Sequence, residues 1–297
     1  MTYVEVATPD GRSLEVLLGG DPAGHPWVYH GGSPSAAVPY APLEAAAVAA
    51  GLRLITCSRP GYGGSSPRLP AQGAPRFADD VADTVTVLDH LGVDEFVTLG
   101  WSGGGPRALG CAALLPGRCR AAASLSGVAP RHAPDLDWFS AMAPENVAEY
   151  TSAEAGAEAY AAYLTADFLP IMDSSVDELA ASMGELFTDA DRAALTPELG
   201  QWLADLFHRA AAQGVVGVRD DGLACVSEWG FDPTAITVPT SVWQVDSDAM
   251  VPFAHGEWLA AHVPGARSHL LPGSGHLLIA THLDEALAEL RELALLG

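Results

Sequence analysis

VTLGWSGGGPRAL, Val97 to Leu109, changes character halfway along. A β-branched apolar run ends at Gly100, Ser102 stands alone between Gly100 and Gly104, and helix-forming residues follow at once. The stretch reads as a strand that turns directly into a helix with a hydroxyl at the turn. Glycines must flank a turn that tight, and the serine is left proud of the sheet. In a chain with 31 glycines the same spacing also suits a plain glycine-rich helix start, so the surrounding sequence has to decide.

Outward from this point the chain alternates. Val4–Ala7 and Leu14–Leu18 flank Pro9-Asp10-Gly11 and predict an antiparallel hairpin. Strand-like runs at Trp27–His30, Arg53–Ser58, Glu95–Gly100 and Arg120–Leu125 then alternate with helical patterns at Pro42–Ala50, Phe77–Leu91 and Gly103–Leu115. The pattern resumes with a strand at Thr240–Val245, a helix at His255–His262, a strand at Arg267–Leu271 and a closing helix, Leu277–Leu296. Such alternation predicts an α/β fold: a mostly parallel sheet with helices on both faces. Between the two halves, residues 129–236 show no convincing strand. Capping-box spacing at Thr151/Glu154 and Ser175/Glu178, and a helix opened by Thr196-Pro197 and ended by Gly214, predict an all-helical insertion. Along that last helix Trp202, Leu203, Leu206, Phe207 and Ala210 share one face. The expected division is a core of 1–128 and 237–297 with a helical cap, 129–236, over the sheet's carboxyl edge, where open sheets bind ligands.

Composition narrows the function. The 297 residues are 49% hydrophobic and 17% charged, as in a compact globular protein. A formal net charge of −23 repels phosphate backbones and anionic lipids, so neither nucleic acid nor a membrane surface is an expected partner. Every basic residue is arginine, which excludes Schiff-base, Ser-Lys and phosphate-loop lysine chemistry. Cys57, Cys111, Cys119 and Cys225 show no CxxC pairing and read as buried thiols rather than disulfides or metal ligands. The N-terminus lacks a basic segment followed by an apolar one, so no signal peptide is expected and the cytoplasm is the expected address.

A bare serine hydroxyl is a poor nucleophile, so a useful Ser102 needs a neutral imidazole to take its proton. His276 is the candidate: it lies in Pro272-Gly273-Ser274-Gly275-His276, a loop leaving a strand at the same sheet edge. His90, His255, His262, His269 and His282 fall on predicted helices or strands and read as packing or surface positions. The imidazole needs an acid to fix its tautomer, and the strand ending at Val245 runs into Asp246-Ser247-Asp248. Asp248 is preferred to Asp246. For a developing oxyanion, the Gly103 amide is one donor, and the second comes from His30-Gly31-Gly32-Ser33-Pro34, with Gly32 favoured over Gly31 or Ser33.

With these elements in place the sequence resembles the α/β-hydrolase superfamily over nearly its whole length. The resemblance rests on His30 to Pro34, Ser58-Arg59-Pro60-Gly61-Tyr62-Gly63-Gly64-Ser65, Gly100 to Gly104, Asp248 to Pro252 and Gly273 to His276, in the order Ser, Asp, His. Ser58 departs from the pattern, since many relatives carry aspartate there; so does Gly103-Gly104-Gly105, which leaves no side chain beside Ser102. The resemblance implies a serine hydrolase that cleaves a carboxylic ester, or a thioester, through an acyl-enzyme, with no cofactor or metal; a small, largely apolar substrate is expected from the apolar side chains of the insertion. Trp138, Phe139, Met142, Tyr160, Tyr163, Phe168, Met172 and Trp202 are available either to line its pocket or to hold the cap to the sheet. Three rivals stay open. One is an aminopeptidase of proline-iminopeptidase type using Glu145, Glu149 or Glu154 for an ammonium group; the others are a non-hydrolytic lyase and a ligand-binding module on the same fold.

Overall fold

The alternation becomes an eight-stranded sheet in the computed structural model, which describes residues 1–69, 73–172, 178 and 182–296. The strands are β1 (Thr2–Ala7), β2 (Ser13–Gly20), β3 (His25–His30), β4 (Leu52–Cys57), β5 (Phe96–Trp101), β6 (Cys119–Leu125), β7 (Thr240–Val245) and β8 (Arg267–Leu271). β1 and β2 form the expected antiparallel hairpin and β2 runs antiparallel to β4; every later pairing is parallel, in the order β1-β2-β4-β3-β5-β6-β7-β8. The order reverses around β3, and a reversal of this kind opens a crevice at the carboxyl ends of the strands. His30, Trp101, Val245 and Leu271 are the last residues of four of them. Every loop singled out in the sequence therefore leaves the sheet at one edge.

The strands are buried on both faces because helices cover both. α1 (Ala41–Ala49) and α12 (Leu283–Leu293) pack on one side against Trp27, Leu54 and Ala121; α2 (Phe77–His90), α3 (Gly105–Leu114) and α10 (Phe253–His262) pack on the other against Val28, Ile55 and Ala122. Neighbouring strand residues thus enter opposite cores, as a side-chain period of two requires. The predicted single closing helix is broken. His282 is non-helical (φ −134°, ψ 16°) and separates α11 (Leu278–Thr281) from α12. Cys111, Cys119 and Cys225 are buried free thiols, whereas Cys57 is partly exposed.

Between β6 and β7 the described residues form helices and no strand: α4 (Pro144–Glu154), α5 (Ala157–Tyr163), α6 (Leu169–Met172), α7 (Asp189–Ala194), α8 (Pro197–Ala210) and α9 (Val216–Val226). α8 follows the sequence closely. The Thr196 hydroxyl caps it by accepting from the Leu199 amide at 3.1 Å, Trp202, Leu203, Leu206 and Ala210 are buried, and Gly214 turns the chain away at φ 71°. Thr151 caps nothing, because α4 starts at Pro144 and places Thr151 in its last turn. Ser175 lies outside the described residues. Of the aromatic and methionine residues open to lining a pocket or holding the cap, Trp138, Phe139 and Met142 join the core beneath α10, and Tyr160, Tyr163 and Met172 pack among the inserted helices. Trp202 stacks on Tyr40 of the sheet half, with ring centroids 4.5 Å apart. No helix among the described residues is long and apolar enough to cross a membrane.

Candidate active site

Ser102 follows β5 directly at φ 55°, a value that costs an L-residue about 1–2 kcal/mol in the left-handed region. The flanking glycines are compelled by space. A Cβ on Gly100 would overlap the Gly104 carbonyl, and one on Gly104 would overlap the carbonyl of His30 on the neighbouring strand. Tight packing of this turn against β3 therefore leaves the hydroxyl as the part that projects. Gly32 lies beside it, since a Cβ there would sit 3.2 Å from the Ser102 Cβ.

Asp248 and His276 meet. Asp248 Oδ2 accepts from His276 Nδ1 at 2.8 Å, and Oδ1 accepts from the Met250 and Val251 amides at 2.9 and 2.8 Å. Gln244 Nε2 adds a longer bond to Oδ2, 3.3 Å. These donors hold the carboxylate in one orientation, with its charge aimed at the ring. Asp246 faces elsewhere, taking the Gly273 amide at 2.8 Å, and so shapes the loop from outside. Burial pulls the His276 ring down in pKa, but the charge and hydrogen bond of Asp248, joined by the charge of Asp191, outweigh it and raise the ring above 6.5. With Nδ1 engaged, Nε2 is the nitrogen left for a partner. Trp101 Nε1 donates to the His276 carbonyl at 2.9 Å and ties this loop to the strand that carries Ser102.

Ser102, His276 and Gly32 line one cavity of about 100 Å³. Its far walls come from the inserted helices and are mainly apolar, Leu203, Leu206 and Phe207 among them. Of the eight large side chains open to either lining the pocket or holding the cap, Phe168 is the one that reaches it. Glu149 also faces the cavity; Tyr160 donates to it at 2.6 Å, and burial raises its pKa. Glu154 instead pairs with Arg131 near the surface, and Glu145 takes the Glu185 amide.

A buried ion network behind the glycine loop has no counterpart in the sequence reading. Arg59 donates to the carbonyls of Gly31 and Gly32 at 3.0 and 2.6 Å and to Asp221 of α9. Asp221 also accepts from Ser33 Oγ at 2.6 Å, Tyr62 Oη at 2.9 Å and Arg107 at 2.6 Å, while Arg107 reaches the Gly103 carbonyl and Asp80. Burial alone would raise the Asp221 carboxyl, but the charges of Arg107 and Arg59 hold it at about 2. Both peptide segments beside Ser102, Gly31 to Ser33 and Gly103, are thus fixed through their acceptor groups. Ser58 has its own arrangement: its hydroxyl accepts the Ala37 amide and donates to Glu15, so a carboxylate from β2 stands beside it.

A family model described as alpha/beta hydrolase fold matches residues 28–283. A pimeloyl-[acyl-carrier protein] methyl ester esterase of Chromobacterium violaceum is 29% identical over 236 residues, 78% of this chain and 80% of that one. The enzyme of the same name from Aromatoleum aromaticum is 29% identical over 252 residues, 84% and 88% of the two chains. Among solved structures, a hydrolase from Pseudomonas aeruginosa superposes with a TM-score of 0.72 at 21% identity, covering 98% of each chain. That likeness speaks for the fold alone.

Proposed function

The chain belongs to the α/β-hydrolase family as an enzyme of carboxylesterase type, and from that premise we propose that it cleaves small, largely apolar carboxylic esters with Ser102 as nucleophile, His276 as base and Asp248 as the acid that orients it. The observation that carries this reading is the hydrogen bond from His276 to Asp248 in the cavity that Ser102 lines. Ser102 Oγ attacks the carbonyl carbon while its proton passes to His276 Nε2. The amides of Gly32 and Gly103 receive the oxyanion; each such donor is worth on the order of 10² to 10³ in rate. As the carbon–oxygen bond of the ester breaks, the imidazolium returns the proton to the leaving alcohol. Water, activated by the same ring, then releases the acid from Ser102.

Size and polarity of the cavity support the substrate class. At about 100 Å³ it is smaller than the ~150 Å³ apolar cavity that admits benzene, so it suits a short acyl or alcohol group. The curated relatives are named for a methyl ester, whose alcohol is the smallest there is. An aminopeptidase reading has one feature in its favour, Glu149 in the cavity wall. Burial favours its uncharged form and Tyr160 already occupies one oxygen, both of which weaken it as an ammonium site.

Intact-mass measurement after exposure to a fluorophosphonate and to p-nitrophenyl acetate and butyrate tests the proposal, with a single adduct on the Ser102 peptide expected. No adduct with any of them, or a strong preference for aminoacyl arylamides over aryl esters, overturns it. The pH dependence has a definite sign. The base must be neutral, and its pKa is raised, so kcat/KM is expected to fall with acid through a midpoint above 6.5. A pH–rate profile that stays flat to pH 5 contradicts a histidine base.

A further inference from the structure

Asp191 is fully buried on α7, far from Ser102 in sequence and never singled out by motif. One of its oxygens serves its own helix. Oδ2 accepts from the Thr188 amide and hydroxyl at 3.1 and 2.8 Å, and the Thr188 hydroxyl accepts from the Asp191 amide in return, a complete capping box. The other oxygen is not needed for that. Oδ1 accepts from the Leu277 amide at 3.0 Å, the residue next to His276. Gly275, on the other side of His276, has no room for a side chain because a Cβ would overlap the Asp191 carboxyl. The peptide that carries His276 is therefore held at two points: Trp101 of β5 takes the carbonyl and Asp191 of the insertion takes the following amide.

We propose that Asp191 is a positioning residue for His276, a carboxylate delivered by the inserted helices that fixes the loop of the base and adds a second negative charge to its surroundings. The inference rests on the reading of His276 as the base. Among the described residues the charged groups acting on the ring are Asp248, from the turn after β7, and Asp191, from α7; Trp101 packs on it as an uncharged ring 5.6 Å away. Helix capping by itself does not account for the contact, since the capping box closes without Oδ1. When the inserted helices sit as they do here the base is locked in place, and catalysis becomes conditional on their docking.

The test compares Asp191→Asn, Asp191→Glu and Thr188→Ala in pH–rate profiles on p-nitrophenyl butyrate, with fluorophosphonate labelling of each. Asparagine keeps an acceptor for Leu277 but removes the charge, so the acid limb of kcat/KM is expected to move to lower pH. Glutamate keeps the charge but displaces it, so the limb stays while kcat drops by roughly 10- to 100-fold at unchanged KM, the cost of a misplaced group. Thr188→Ala loosens the same helix end without touching the Leu277 contact and is expected to keep the wild-type limb. An Asp191→Asn profile superimposable on wild type overturns the proposal. If the asparagine variant fails to fold, Asp191→Glu decides alone: wild-type kcat overturns the proposal, and a loss at constant KM supports it. Labelling of wild-type Ser102 keeps the two readings apart, because its failure removes the base itself, whereas its success with unaltered variants removes only the role of Asp191.

Discussion

Ser102→Ala is expected to lower kcat for aryl ester hydrolysis by on the order of 10⁶-fold, the loss seen when a serine nucleophile is deleted from a triad. Residual turnover of roughly 10³ to 10⁴ over water is expected to remain if the Gly32 and Gly103 amides serve as the proposed oxyanion donors, since the substitution leaves both in place. KM changes little, since the hydroxyl contributes almost nothing to binding the ground state. The variant folds: its side chain loses one oxygen from a half-buried position, and the glycines that shape the turn are untouched. Stability offers a second readout. Ser102→Gly relieves a positive φ that costs about 1–2 kcal/mol, against the ~0.4–1 kcal/mol that glycine adds to the entropy lost on folding. The glycine variant is therefore expected to outlast Ser102→Ala in urea by up to about 1.6 kcal/mol while being equally inactive. Wild-type rates for Ser102→Ala refute the assignment of the nucleophile.

Asp221→Ala is expected to cost about 3–5 kcal/mol of stability, the penalty for leaving buried charges unpaired. Arg59 is 7% and Arg107 1% exposed; without Asp221, Arg59 retains only neutral acceptors and Arg107 only Asp80 and a carbonyl. Against a total of roughly 5–15 kcal/mol, that is a large share. The neighbouring Asp220 makes a sharp control. Among the described residues its ion pair is with the partly exposed Arg219, which water can solvate once the carboxylate is gone, so Asp220→Ala strands no buried guanidinium and costs no more than about 1 kcal/mol. Urea midpoints of the two variants measure the difference, and equal values refute the role given to the network. The pH sign follows from the low pKa of Asp221: its contribution is complete above the ordinary carboxylate value of about 3.9 and is lost as pH falls through about 2. Activity falls as well, because Ser33 loses its acceptor and Arg59, which holds the Gly31 and Gly32 carbonyls, loses the carboxylate that positions it.

Local pattern carried the sheet and the loops. Strand and helix alternation, a serine between Gly100 and Gly104, and His276 behind Gly273-Ser-Gly275 are features of short windows, and parallel strands bring such loops to one edge automatically. Arg59, Arg107, Asp191 and Asp221 were invisible for the opposite reason. A buried charge is recognised by its partner, and Arg59 is 162 positions from Asp221, Asp191 86 from Leu277. Thr151 misled because Thr-x-x-Glu spacing occurs inside helices as readily as at their starts. His282 broke the last helix at a residue no stronger as a breaker than its neighbours. Of the two roles open to the large side chains of the insertion, holding it to the rest is the one Trp138 and Tyr160 take, and leucines of α8 that no short window marks face the cavity instead.

The loops of the sheet lean on the insertion as much as it leans on them: Ser33 and Arg59 on Asp221, Leu277 on Asp191. Chimeras made by grafting a foreign segment between β6 and β7 would bring a new pocket but strand two guanidinium groups and slacken the histidine. For the same reason retargeting this scaffold is best done by repainting the wall of α8 in place.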